Sequence, residues 1–285
     1  MRLTDRVAVV TGGGRGVGRA IALLLAREGA AVVVADNGSL IDGSGTSGEP
    51  AEAVVDEIAA AGGTALAAVA DVSSWDETRD LVGRPIAEWG KLDILVNCAG
   101  NFVRDTIGEV TPESLARVRR VHLDGMVNTS HFAALHWIER GEYGRLINFT
   151  SDAAMVGVAD TLSYGAAKGA VIALTRSVAK ALAPYKVTAN ALTQVSRTRM
   201  RDAYHGPADQ VPPEARPDTV APLVVYLASP EAGYVTGRVF GSYGFRYARW
   251  SEPAHEAVLE SDGPWDLDRL FDQFPATLGT GLPGA

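Results

Sequence analysis

The sequence predicts an α/β protein in which a parallel sheet is covered by helices on both faces. Three observations carry this. Short apolar runs alternate with longer segments of helical spacing along most of the chain, the pattern of βαβ units. A glycine-rich turn, Thr11-Gly12-Gly13-Gly14-Arg15-Gly16-Val17-Gly18, joins the first strand to the first helix. An acid, Asp36, stands at the end of the second strand.

The elements follow in order. Strand one is expected over Arg6–Thr11, a helix over about Val17–Glu28, and strand two over Ala31–Asp36. The polar, glycine-rich stretch Asn37–Glu49 reads as a loop. Pro50 suits a first helical turn, so a helix should run from there to about Ala61, where Gly62-Gly63 ends it. Thr64–Ala70 makes strand three; Ser73 or Ser74 caps the next helix, with Asp76 and Glu77 in its first turn. Strand four is Leu92–Asn97, and Thr111-Pro112-Glu113 opens a long helix to about Glu139. Strand five is Arg145–Thr150, followed by a helix over about Tyr164–Ala183, strand six at Lys186–Leu192, a short helix near Thr219–Ala228 and a weak last strand at Arg238–Gly241. No internal repeat and no linker divides this region.

Composition narrows the function. The 285 residues, 47% of them hydrophobic, suffice for a sizeable core. A net charge of −8 argues against a nucleic-acid surface or a polybasic membrane contact. One Cys excludes an intrachain disulfide framework, and no Cys/His cluster has metal-ligand spacing, so no metal is expected. No apolar run is long enough to span a membrane, and the N-terminus goes straight into a strand without the apolar stretch of a signal peptide. A soluble, cytoplasmic protein is expected.

The glycine turn lets a phosphate approach backbone N–H groups at a helix N-terminus, where the dipole favours anions. Its Gly-x-x-x-Gly-x-Gly spacing differs from the commoner G-x-G-x-x-G fingerprint, and alone it could be merely a tight turn. Asp36, 18 residues after Gly18, is placed to accept hydrogen bonds from an adenosine ribose. Its charge repels a 2′-phosphate and Asn37 beside it adds no cation, which favours NAD over NADP; Arg15 could still reach such a phosphate.

Ser151 follows the apolar strand Leu146–Phe149, and Tyr164 and Lys168 stand four apart in an Ala-rich helical segment, hence on one face. By itself such a pair is a surface neighbour more often than a site. A Lys cation near a phenol favours the phenolate and lowers its pKa toward the working range, which suits general acid–base catalysis. A Ser hydroxyl at the strand end can hydrogen-bond an oxygen that gains charge. The set suits reversible carbonyl-to-alcohol chemistry.

Over about Leu3 to Gly244 these motifs together resemble the short-chain dehydrogenase/reductases: Thr11, Gly12, Gly16 and Gly18 in the turn, Asp71-Val72 after strand three, Asn97-Cys98-Ala99-Gly100 after strand four, and Ser151, Tyr164 and Lys168. The resemblance implies a single Rossmann-like, doubly wound domain over residues 1–244 with strand order 3-2-1-4-5-6-7. It implies a catalytic Tyr164, with Lys168 holding the nicotinamide ribose and Ser151 orienting the substrate. Gly12, Arg15, Gly16, Val17 and Gly18 would bind the cofactor phosphates, Asp71 and Val72 would bracket the adenine, and Asn97 to Gly100 would pass beneath the cofactor. It also implies a homodimer or homotetramer built through the two long helices.

Three positions depart from the family pattern. Cys98 replaces a second Asn, His122 stands at a helix-borne catalytic Asn, and Gln194-Val195 replaces Pro-Gly beside the nicotinamide, leaving Val195 as a cofactor contact. The last two, with the Asp36-Asn37-Gly38 insertion, resemble the dehydrogenase region of peroxisomal multifunctional β-oxidation enzymes. That resemblance implies NAD-dependent oxidation of a (3R)-hydroxyacyl-CoA thioester. A hydroxysteroid dehydrogenase, a 3-oxoacyl or polyketide ketoreductase, and a catalytically idle NAD-binding sensor are the alternatives.

Two segments remain as substrate candidates. Thr193–Arg216 is polar, carries Pro207, Pro212 and Pro213, and its Arg197, Arg199 and Arg201 could receive a phosphate-bearing carrier or be merely solvated. The extension over residues 245–285 has helical spacing at Asp266–Gln273 and is expected to pack on the domain or on a neighbouring subunit.

Overall fold

In a computed structural model, which describes residues 1–206 and 211–282, strands and helices alternate as expected. The order begins β1 (Val7–Thr11), α1 (Gly16–Arg27), β2 (Ala31–Ala35), α2 (Glu49–Ala60), β3 (Thr64–Ala68), α3 (Trp75–Trp89) and β4 (Ile94–Asn97). It continues with α4 (Pro112–Arg119), α5 (Gly125–Arg140), β5 (Gly144–Phe149), α6 (Ala153–Val156), α7 (Leu162–Leu182) and β6 (Val187–Gln194). It closes with α8 (Arg199–His205), α9 (Ala221–Ala228), β7 (Val239–Tyr243), β8 (Arg246–Arg249) and α10 (Leu267–Gln273).

The strands form one sheet in the order β3-β2-β1-β4-β5-β6-β7-β8, parallel except for the antiparallel β7–β8 pair. Side chains of successive strand residues point to opposite faces, so each strand feeds two cores. Ala8 and Val10 of β1 pack with Val17, Ile21 and Leu25 of α1, Val54 and Ile58 of α2 and Leu223 and Val224 of α9. Val9, between them, joins Leu81 of α3, Trp137 of α5 and Leu182 of α7 on the other face. Burial on both faces explains why these strands read as continuous apolar runs.

Two boundaries differ from the expectation. The single helix from Thr111 to about Glu139 is α4 and α5 joined by a π-helical turn, Arg120–Asp124. The compact unit ends at Trp250 rather than Gly244, because β8 folds back on β7 through pairs such as Gly241–Ala248. Residues from Ser251 onward form a second unit containing α10, whose first turn is capped by Asp266 accepting the Arg269 N–H at 3.0 Å. Pro207 lies outside the described residues.

The chain leaves β1 toward β2 and β3 and then returns to place β4 on β1's other side. Loops leaving the carboxyl ends of β1 and β4 therefore diverge, and this divergence opens the crevice in which open α/β sheets bind ligands.

Candidate active site

A cavity of about 470 Å³ opens at these carboxyl ends, lined from Gly12 and Asp36 at one end to Tyr164 and Lys168 at the other. That volume suits a small-molecule site, for which about 300–1,000 Å³ is typical. At the first end, α1 starts at Gly16 with no side-chain cap, so its first N–H groups are available to an anion. A methyl group at Gly18 would run into the Gly12 carbonyl oxygen, so the turn closes only around glycine there.

Asp36 is held by two backbone donors: Gly14 N–H to Oδ2 at 2.9 Å and Gly38 N–H to Oδ1 at 2.8 Å. Each oxygen retains a further lone pair for a ligand hydroxyl. Arg15 donates to the carbonyls of Gly38 and Ser39, both at 3.3 Å, so its guanidinium is tied to the loop after β2. That loop reaches across to the segment following β4, where the Phe102 N–H donates to Ile41 O at 3.0 Å. Arg199 of α8, an exposed residue, lines the same end; partial loss of water lowers its pKa, with Arg15 adding to the effect and Asp36 opposing it.

Asn37, Asp71 and Val72 line the middle of the cavity with Ala99 and Gly100. Asp71 Oδ1 accepts the Ser73 N–H at 2.9 Å, and Val72 O accepts the Asn128 amide at 3.1 Å, which fixes this wall. Thr11 Oγ1 accepts the N–H groups of both Cys98 and Ala99 at 3.2 Å, tying β1 to the segment beneath the cavity. Burial pushes the Cys98 thiol up to about 12, so it stays protonated and inert.

The far end holds the Tyr164–Lys168 pair on α7. Lys168 is 4% exposed; its Nζ donates to Phe149 O at 2.6 Å and lies 5.6 Å from the Tyr164 ring centre. Burial lowers its pKa to about 8. The Tyr164 phenol is pushed up to about 12 by burial, while a hydrogen bond with Ser151 acts in the opposite direction. The expected lowering of the phenol by Lys168 is therefore not found: loss of water, which disfavours either charged form, raises the phenol and lowers the ammonium. Ser151 Oγ also accepts the Ala153 N–H at 3.2 Å, which orients it at the end of β5.

His122 sits on the π-helical turn, 1% exposed, with its ring edge-on to that of Tyr164 at 5.2 Å between centres. Its Nε2 is 2.7 Å from Asn101 O, while Nδ1 is buried without a partner. Burial, and then the charge of Lys168, hold its pKa well below the usual value, so the ring is neutral. A π turn inserts one extra residue into the helix, a feature frequent at functional sites.

Two residues expected to touch a cofactor have other partners. The Asn97 side chain is buried in a hydrogen-bonded chain, accepting from Thr129 and donating to Asn148, each at 2.9 Å. The Val195 N–H donates to Ser242 O at 3.1 Å, and Gln194 rather than Val195 lines the cavity. Arg197 pairs with Asp202 within α8 and its approach. Phe102, whose ring meets Tyr164 at 5.4 Å, carried no signal in the sequence, while Thr11 and the stretch Thr198–Met200 were marked there only as part of the turn motif and of a polar loop. Each acts through partners far away in the chain.

The donor set suits a dinucleotide: free N–H groups at a helix start, a carboxylate in reach of a ribose, and a phenol, ammonium and unpaired imidazole nitrogen at the other end. Among the described residues, no group of three or more His, Cys, Asp and Glu could hold a metal ion, and no helix is long and apolar enough to cross a membrane.

A family model described as short chain dehydrogenase matches residues 6–205. Hydroxyacyl-CoA dehydrogenase ChsB1 of Mycobacterium tuberculosis is 38% identical, over 94% of this chain and 87% of its own. A peroxisomal hydratase-dehydrogenase-epimerase of Saccharomyces cerevisiae is 35% identical over 83% of this chain, which spans 26% of that longer protein. The crystal structure of a short chain dehydrogenase from Mycobacterium avium matches with a TM-score of 0.88 at 37% identity, covering 100% of both chains. The chain therefore belongs to the short-chain dehydrogenase/reductase family, NAD(P)-dependent oxidoreductases acting on CH–OH donors.

Proposed function

We propose that this enzyme uses NAD to interconvert a 3-hydroxyacyl thioester and its 3-oxo form, with (3R)-hydroxyacyl-CoA as the substrate class. The observation that carries the reading is the single cavity with Asp36 at one end and the Tyr164–Lys168–His122 group at the other. NAD is favoured over NADP because Asp36 brings a negative charge to the ribose site while Arg15 is engaged by loop carbonyls. The thioester rests on the likeness to ChsB1 and on the multifunctional-enzyme motifs in the sequence.

The bound nicotinamide would accept or supply the hydride. Tyr164 handles the proton. With the phenol at about 12 and the ammonium at about 8, the resting pair near neutrality is a protonated phenol beside a cation. That state can donate a proton to a carbonyl oxygen. In the oxidative direction the phenol first gives its proton to solvent water and then takes the one on the substrate hydroxyl. Ser151 bonds the oxygen on which charge develops, and Lys168 stabilises the phenolate. His122, with Nε2–H donating to Asn101 O, leaves its neutral Nδ1 to accept a hydrogen bond from a water or a substrate hydroxyl at this end.

Tyr164→Phe tests the assignment. It should lower turnover by about 10²–10⁴-fold, the usual worth of a positioned acid–base group. NADH affinity, read by fluorescence titration, should stay close to wild type. Equal turnover in the variant would refute the role of Tyr164.

A further inference from the structure

The first turn of α7 is capped from elsewhere in the chain. Thr161, just before the helix, directs its hydroxyl to Val158 O at 3.4 Å and makes no cap bond. Asp105 supplies the acceptors instead. Its carbonyl oxygen accepts the Leu162 N–H at 3.1 Å, and its Oδ1 accepts the Ser163 N–H at 3.0 Å. Oδ2 accepts the Ser163 hydroxyl and also, at 2.9 Å, the hydroxyl of Ser114 in α4.

This carboxylate is 3% exposed and Ser163 is fully buried, so bulk water does not compete for these bonds. Burial pushes the Asp105 carboxyl up, but the bonds from Ser163, Ser114 and Leu162 more than offset it and keep it below its ordinary value. The charge also faces the positive end of a 21-residue helix.

Tyr164 is the next residue after Ser163. Its ring lies against Phe102 at 5.4 Å and His122 at 5.2 Å, and its phenol meets Ser151. Phe102 and Asp105 belong to one segment, which therefore touches the Tyr164 ring and fastens the helix that carries it. Movement of the first turn would shift the phenol against all of these neighbours together.

We propose that Asp105 is a positioning residue for Tyr164: its carboxylate fixes the first turn of α7 and so sets where the phenol meets the reacting oxygen. The inference rests on the acid–base reading of Tyr164. The test measures kcat, KM and NADH affinity against pH for Asp105→Asn, Asp105→Ala and Ser163→Ala. Asn keeps an acceptor for the Ser163 N–H, so kcat should fall in the order wild type, Asp105→Asn, Asp105→Ala.

The alanine variant should lose about 10–100-fold in kcat, as small misplacements of reacting groups do, with NADH affinity within about twofold. Drawing the phenol away from Ser151 removes the bond that lowers its pKa, so the rising, acid-side limb of alcohol oxidation should move to higher pH in Asp105→Ala and Ser163→Ala. Unchanged kcat and an unshifted pH profile in Asp105→Asn and Ser163→Ala would overturn the proposal, since a purely stabilising cap moves only the unfolding midpoint. Those two variants decide it even if Asp105→Ala fails to fold. Full activity of Tyr164→Phe would instead defeat the acid–base reading itself, whatever the Asp105 variants do.

Discussion

At the scale of the residue, the site concentrates titratable groups whose charged forms are costly to bury. Lys168, lowered to about 8 against an ordinary value of 10.5, makes this measurable. Between those two pH values the unfolded chain holds a proton that the folded protein has released, so stability from this group rises with pH. Tyr164, raised to about 12 from 10.0, acts oppositely, but only above pH 10. Urea unfolding midpoints at about pH 7.5 and about pH 9.5 should therefore rise for wild type relative to Lys168→Met, which has no charge in either state. Parallel midpoints would contradict a buried, destabilised ammonium. Ser151, Tyr164 and Lys168 were legible in the sequence because a strand end and helical spacing bring them together locally. The pKa directions were not, since the sequence shows the nearby cation but not the loss of water that raises the phenol and lowers the ammonium.

At the scale of the element, apolar strands and capped helices were read to within a few residues because burial on both faces writes continuous apolar runs. The elements that escaped have no such signature. The strand β8 is Arg-Tyr-Ala-Arg, held by backbone pairing at the sheet edge, and α8 lies in a polar segment whose cap, Thr198, looks like any loop threonine. The π turn at His122 depends on a local insertion that periodicity does not mark. The β1–α1 turn was legible, and it makes a sharp prediction. A methyl at Gly18 would collide with the Gly12 carbonyl, a backbone atom that cannot yield without moving the turn. Gly18→Ala should cost about 1–3 kcal/mol of stability, as overpacking does. It should also weaken NADH binding by about tenfold or more, read by fluorescence titration. Wild-type affinity in a folded variant would mean that the turn does not shape the dinucleotide site.

At the scale of the whole molecule, the doubly wound sheet explains why residues from eight separate stretches share one cavity. The divergence of the chain on either side of β1 opens the cleft, the glycine turn and Asp36 furnish one end, and α7 presents the acid–base pair at the other. Fold and family are therefore legible from motif order. The substrate is not, because loops such as the one carrying Phe102 and the segment around α8 take positions that depend on tertiary contacts. The most direct measurement is NADH formation at 340 nm by the full chain with (3R)- and (3S)-hydroxyacyl-CoA of several lengths and a few hydroxysteroids, each with NAD and with NADP. Turnover of the (3R) thioesters with NAD well above every other combination is the predicted result. Preference for NADP would contradict the role given to Asp36, and turnover confined to the steroids or the (3S) thioesters would contradict the proposed substrate.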